Sequence, residues 1–258
     1  MGRIADAFGQ GHKALIGFVT GGDPDLGMTE RFVLAMAEEG VDLVEIGVPF
    51  SDPIAEGEVI RAASERALSS GTTLDGLFGI TERLREKTDV PIVFMTYFNP
   101  VYKYGVERFS MRCDRAGVDG VIIPDLPWEE RGEFMEARGD KARVELISLV
   151  SPTSAARAED IGRGAEGFLY CVSSLGVTGM RRDIGTGIAD VIRTVKSATD
   201  IPCAIGFGIS SPGQARAMAE LADGVIVGSA LVRIIAEQGR ESEKPLREFV
   251  RSLRAAVV

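Results

Sequence analysis

Apolar residues recur along this chain in eight short runs, each rich in β-branched or aromatic side chains and each followed by turn residues: A-L-I-G-F-V-T, D-L-V-E-I-G-V, P-I-V-F-M-T-Y-F, G-V-I-I-P-D, V-E-L-I-S-L-V, G-F-L-Y-C-V-S, P-C-A-I-G-F-G and G-V-I-V-G-S. They begin near Ala14, Asp42, Pro91, Gly120, Val144, Gly167, Pro202 and Gly224. Runs that are hydrophobic nearly throughout, rather than strictly alternating, predict parallel strands covered on both faces. Helical periodicity occupies the stretches between them, over 28–39, 59–68, 74–87, 106–116, 188–198 and 212–221. Two of these lie in one long connection between the second and third strands. Extra helices are predicted over 3–8 and 243–254, where they would cap the ends of the sheet. Eight βα units in succession predict an α/β fold, a closed (β/α)8 TIM barrel, with an open doubly wound sheet as the alternative.

The length of 258 residues suits that barrel as a single domain over 1–258. No linker or low-complexity tract marks an internal boundary. Apolar content of 45% with 26% charged residues is that of a soluble protein with a full core. No apolar run approaches the roughly 18 residues that span a bilayer, and the start M-G-R-I-A-D-A-F-G-Q-G-H-K has neither a signal-peptide core nor a lipidation motif. A cytoplasmic location is expected.

Charge and metal-binding residues narrow the chemistry. A net charge of -9 disfavours nucleic acid as partner, since the one dense basic pair, Arg181 and Arg182, is followed at once by Asp183. Cys113, Cys171 and Cys203 have no C-x-x-C spacing, and Cys171 and Cys203 lie in apolar runs that predict buried thiols. The single histidine, His12, cannot supply a His-rich metal site. No cofactor is expected.

Against this background one residue stands out. Glu45 sits at the centre of a strand-like run among Leu43, Val44, Ile46 and Val48, where an ionised carboxylate costs several kcal/mol unless paired or protonated. The loop that follows, F-S-D-P-I-A-E-G, carries Asp52 and Glu56, which are read as solvated or as caps of a helix opening near Ile54. Function in a barrel gathers at the C-terminal ends of the strands. There this chain places T-G-G-D-P, P-D at Pro124 and Asp125, S-S-L-G-V-T-G, G-F-G-I-S and G-S at Gly228 and Ser229. The last three follow strands six, seven and eight, where backbone amides and a helix N-terminus suit a phosphate group. The lysines considered, Lys13, Lys87, Lys103, Lys141 and Lys196, fall before strands, in helices or in loops, so Schiff-base chemistry has no candidate. Acid–base chemistry on a phosphorylated substrate remains, with Glu45 leading.

Through E-I-G-V-P-F-S-D-P-I-A-E-G, F-V-T-G-G-D-P, Y-F-N-P, S-S-L-G-V-T-G and G-F-G-I-S, in order along nearly the whole chain, the sequence resembles the alpha subunit family of tryptophan synthase. The resemblance implies a (β/α)8 lyase of tryptophan biosynthesis that splits indole-3-glycerol phosphate into indole and glyceraldehyde 3-phosphate. It implies Glu45, Glu56 and Tyr170 as catalytic residues. Phe18, Met95, Ile122, Pro124, Leu149 and Phe207 would line the indole pocket, and Thr178 would bond the loop carboxylate. Amides around Gly179, Gly208, Gly228 and Ser229 would hold phosphate. A pyridoxal-phosphate beta subunit would dock at Asp52, Pro53, Asn99 and Pro100, in an alpha2-beta2 heterotetramer. Where the family most often has A-D-G-P, this chain has Ala55-Glu56-Gly57-Glu58, a carboxylate one methylene longer and a glutamate in place of proline. Two other readings stay open: a stand-alone indole-releasing lyase, and an idle phosphate-binding barrel acting as a partner subunit.

Overall fold

In the computed structural model, which describes residues 2–140, 142–172, 184–206 and 208–257, eight parallel strands close on themselves in sequence order. They are β1 (Ala14–Thr20), β2 (Leu43–Gly47), β3 (Ile92–Met95), β4 (Gly120–Ile122), β5 (Glu145–Val150), β6 (Leu169–Val172), β7 (Cys203–Gly206) and β8 (Gly224–Val227). The ring closes where β8 pairs with β1, Ala14 opposite Gly224 and Ile16 opposite Ile226. Each of the eight apolar runs contains one strand. No lysine lies on any of these strands.

The helices are α1 (Arg3–Phe8), α2 (Leu26–Glu38), α3 (Glu58–Ser69), α4 (Leu74–Arg85), α5 (Phe98–Tyr104), α6 (Val106–Ala116), α7 (Arg131–Arg138), α8 (Ala158–Arg163), α9 (Ile184–Ala198), α10 (Pro212–Ala219), α11 (Ser229–Gln238) and α12 (Glu243–Ala256). Their starts follow local chemistry. Asp25 caps α2 by accepting the Met28 N–H at 2.9 Å, and Thr73 caps α4 by accepting that of Gly76 at 3.1 Å. Gly117 ends α6 in the left-handed conformation, φ 81°. The long β2–β3 connection does hold two helices, α3 and α4. None of the helices is long and apolar enough to cross a membrane.

Alternation along each strand divides the core into two layers. Outward residues such as Leu15, Val19, Val44, Ile46, Phe94 and Val121 pack under the helices, with Phe32, Met36, Phe78, Leu84 and Phe109. Inward residues Ile16, Leu43, Val93, Ile122, Ile147, Phe168, Ala204 and Ile226 fill the barrel, together with Ile4 and Ala7 of α1. The first helix therefore plugs the N-terminal end of the barrel, as expected. The last does not cap an end. Its apolar stripe, Leu246, Val250 and Leu253, recurs at helical spacing and packs in the outer layer, where α12 meets α2, α10 and α11. A 14-residue amphipathic helix buries more of that stripe along the flank than across the mouth.

The thiols of Cys113, Cys171 and Cys203 are free and buried. His12 lies at the chain's N-terminal side with Nε2 3.6 Å from Asp42.

Because Ile4 is 1% exposed and supplies the plug's main apolar contact, Ile4→Ala should lower unfolding free energy by about 2–4 kcal/mol, measured by urea titration. A loss below about 0.5 kcal/mol would show that α1 is not part of the core.

Candidate active site

β2 delivers Glu45 because its inward positions are Leu43, Glu45 and Gly47 while Val44 and Ile46 face the helices. In register Glu45 lies beside Phe18 of β1 and Val93 of β3. It is 1% exposed, and neither carboxylate oxygen has a hydrogen-bond partner among the described residues. Burial alone raises its pKa to about 8. At neutral pH Glu45 is thus predominantly a neutral acid, poised to give up a proton.

Tyr170 points into the same space from β6. Its pKa is pushed well above the usual tyrosine value by burial and then by the nearby Glu45 charge, so it stays a neutral hydroxyl. Glycine makes room for both rings of this chamber. A Cβ on Gly206 would come within 2.7 Å of the Tyr170 ring, and one on Gly47 within 2.6 Å of the Phe18 ring. Met95, Leu149 and Tyr170 pack on the barrel's inner apolar layer, and Met95 also touches the cluster of Phe18, Ala63 and Val232. Phe18, Met95, Ile122 and Leu149 therefore share one apolar chamber around Glu45, and Pro124 stands just past the end of β4.

Glu56 comes from the loop between β2 and α3. It is half-buried, its Oε2 has no partner among the described residues, and burial raises its pKa to about 7. The expected capping roles do not hold. The helix opens at Glu58 with Gly57 at its N-cap and no side-chain cap, while Asp52 accepts the Ser51 hydroxyl at 2.5 Å. An exposed loop rising over the mouth offers Asp52 no helix terminus to bond. Asp23, in the loop after β1, is buried and held by Arg66 of α3 through two bonds of 2.9 and 2.7 Å, which ties the far end of this region to the barrel.

On the other side of β1 from these carboxylates, the ends of β7 and β8 offer backbone donors. Gly208 is exposed with φ 71°, and a Cβ there would meet nothing. Gly228 and Ser229 open the ten-residue α11, whose first amides have no partner within the helix. Phe207, Thr178 and Gly179 lie outside the described residues.

The two segments expected to meet a partner converge on the rim. Asp52 and Pro53 stand in the β2–α3 loop and Asn99 and Pro100 in the first turn of α5, and the Tyr97 hydroxyl links the two by accepting the N–H groups of Ile54 and Ala55. Sequence reasoning passed over both Tyr97 and α5. Tyr97 sat inside a run read as strand; its signal was a polar-tipped aromatic at a strand's C-terminal end.

A barrel whose C-terminal chamber holds a neutral carboxyl group without a partner among the described residues, with helix-terminal amides at the same rim, belongs to the class of (β/α)8 enzymes that work by proton transfer on a bound small molecule. The model of the family described as tryptophan synthase alpha chain matches residues 4–257. Tryptophan synthase alpha chains of Caldanaerobacter subterraneus subsp. tengcongensis and Geobacter sp. strain M21 are each 48% identical to it; the first alignment covers 98% of this chain and 97% of the relative, the second 100% and 98%. Among solved structures, a chain of the tryptophan synthase a2b2 complex from Pyrococcus furiosus is 38% identical with a TM-score of 0.86, covering 95% of this chain and 99% of that one. One of Mycobacterium tuberculosis tryptophan synthase is 36% identical with a TM-score of 0.88, covering 99% and 96%. The protein belongs to the tryptophan synthase alpha chain family.

A carboxyl group raised from its ordinary value by burial holds its proton in the folded state and loses it in the unfolded chain as pH rises past about 4.3. The folded state is therefore favoured most below that point, and the Glu45 contribution is lost as pH climbs toward about 8. Glu45→Gln should match the parent near pH 4 to 5 and become more stable than it by up to about 1.4 kcal/mol per pH unit above that. Urea titrations at pH 5 and pH 8 measure this; an equal offset at both pH values would mean Glu45 is ionised in the folded protein.

Proposed function

We infer that this chain cleaves indole-3-glycerol phosphate into indole and glyceraldehyde 3-phosphate, with Glu45 as the acid that becomes the base. The observation that carries the reading is a 1%-exposed carboxyl group without a partner among the described residues, set among apolar side chains of the kind that pack on an indole ring. Neutral Glu45 gives its proton to indole C3. Ionised Glu56 accepts or polarises the indole N–H, and the ring becomes an electron-poor tautomer. Glu45, now a carboxylate, takes the proton of the glycerol hydroxyl; the C–C bond breaks, its electrons restore the aromatic ring, any proton taken by Glu56 returns to the ring nitrogen, and the aldehyde leaves. One group thus serves both steps because its pKa lies near working pH.

Tyr170 holds its hydroxyl beside Glu45. Phe18, Met95, Ile122, Pro124 and Leu149, with Phe207, enclose the ring. Gly208, Gly228 and Ser229, with Gly179, take the phosphate, which the α11 N-terminus favours. Thr178 bonds Glu56 when the loops close. All of this lies within one folded unit, 1–258, and the three free thiols accord with a reducing cytoplasm.

The Pyrococcus furiosus neighbour belongs to an a2b2 complex, and we extend that assembly to this chain, with a beta subunit seated over Asp52, Pro53, Asn99 and Pro100. Two large apolar side chains stand exposed beside those residues, Ile54 at 81% and Tyr102 at 66%; apolar groups left in water at a rim are what a partner covers.

Purified chain given indole-3-glycerol phosphate should release indole, and Glu45→Gln should lower kcat by roughly 10³-fold with the fold intact. Substantial turnover in that variant removes Glu45 from the chemistry. The profile of kcat/KM against pH should be a narrow bell, rising as Glu56 ionises near 7 and falling as Glu45 ionises near 8; a flat profile from pH 6 to 9 contradicts the assigned roles. Ile54→Asp should weaken association with a beta subunit about tenfold or more in gel filtration and titration.

A further inference from the structure

The loop that carries Glu56 is anchored from behind by a side chain that the reaction scheme does not use. Tyr97 lies two residues past the end of β3, at the N-cap of α5, and is 3% exposed. Its hydroxyl oxygen accepts two backbone N–H groups, from Ile54 at 3.1 Å and from Ala55 at 2.9 Å. These are the two residues immediately before Glu56. The Tyr97 ring also packs on Phe50, near the loop's start, at 5.3 Å between centroids.

The anchor itself is fixed to the barrel. Asp125, after β4, accepts the Phe98 N–H at 2.9 Å, and the Thr96 hydroxyl donates to the Tyr97 carbonyl at 3.3 Å. The loop has little else to hold it. Ile54 and Ala55 are exposed, Asp52 bonds only its neighbour Ser51 among the described residues, and α3 begins without a side-chain cap. One hydroxyl group thus connects a rigid strand end to the backbone of an exposed segment.

We propose that Tyr97 is a positioning residue for the lyase reaction: its hydroxyl fixes the backbone just before Glu56 and so holds that carboxylate over the mouth of the barrel. The proposal rests on Glu56 being the second carboxylate. A glutamate has one more rotatable bond than an aspartate, so its carboxylate depends more on a fixed backbone. Displacements of about 1 Å in a reacting group cost rate steeply. The charged groups that act on Tyr97 are Glu56 and Asp125. Both add to burial in raising its pKa, against the lowering effect of the two backbone bonds, so the hydroxyl is a neutral acceptor throughout the working range. Glu56 in turn owes its raised pKa to burial, which lasts only while the loop is held against the barrel.

Tyr97→Phe removes one oxygen and keeps the ring on Phe50. The released amides are at exposed residues and take water instead, so the thermal midpoint should stay within about 3 °C of the parent. The expected result is a fall in kcat of about tenfold or more with KM changed by less than about threefold. The acid limb of the pH profile should move to lower pH as Glu56 gains water. In a Glu56→Gln background Tyr97→Phe should cost nothing further, because the tether then has no carboxylate to hold. A Tyr97→Phe enzyme with parental kcat and an unmoved acid limb overturns the proposal, as does a full further loss in the double variant. A nearly inactive Glu56→Gln beside a fully active Tyr97→Phe would reject the tether and leave Glu56 in place. A fully active Glu56→Gln would instead reject the role of Glu56 itself.

Discussion

An acid held inside the barrel without a partner among the described residues is the constraint on which the rest of the molecule turns. Water would ionise Glu45, and an arginine or lysine beside it would do the same; either would lower its pKa and remove the proton the reaction needs. Among the described residues no arginine or lysine bonds it, and apolar Leu43, Val93, Ile122, Ile147 and Ala204 line the chamber's lower part. Tyr170 and Phe18 press in beside it because Gly206 and Gly47 leave space for their rings. An unpaired buried acid reduces stability above its unfolded pKa, and the large apolar layers on both faces of the sheet are what the fold sets against that cost.

The two ends of the barrel are built differently. At the N-terminal end α1 closes the interior, and Asp119 joins Arg85 at 2.6 Å and accepts the Ile92 N–H at 2.8 Å, binding the start of β3 to the turn before β4. Arg138 likewise donates to Glu166 through two bonds of 2.6 and 2.9 Å, while Glu145 Oε2 at the start of β5 has no partner among the described residues. At the C-terminal end carboxylate oxygens of Glu45 and Glu56 remain without partners among the described residues, and the first amides of α11 have none within their helix. Carboxyl groups left unmatched at the C-terminal ends of the strands, where barrel sites form, are suited to completion by a ligand.

How much of this could be read along the chain depended on how far each feature relied on neighbours in sequence. The eight strands and the helices α2, α3, α4 and α6 were legible because burial on one or both faces writes a period into the residues. α5 was not: its seven residues include Pro100 and bury only Val101, too little to set a period. α12 was legible as a helix, but its place on the flank depended on the grooves beside α2 and α10. Glu45 was legible because a charge in an apolar strand conflicts with its surroundings. Tyr97 presented no such conflict, since a tyrosine at a strand end satisfies every local rule.

The amino-acid sequence by itself determined the alternation of strands and helices, the place of Glu45 at the centre of an apolar strand and the absence of lysine from the strands, because period and composition are local properties. Only the tertiary structure decided that Glu45 lacks a partner among the described residues, that Glu56 is half-buried, and that one hydroxyl from β3's end holds the Glu56 loop. Those are facts of proximity between segments far apart in the chain. A pKa follows from what surrounds a group in space, and closing the barrel is what sets those surroundings.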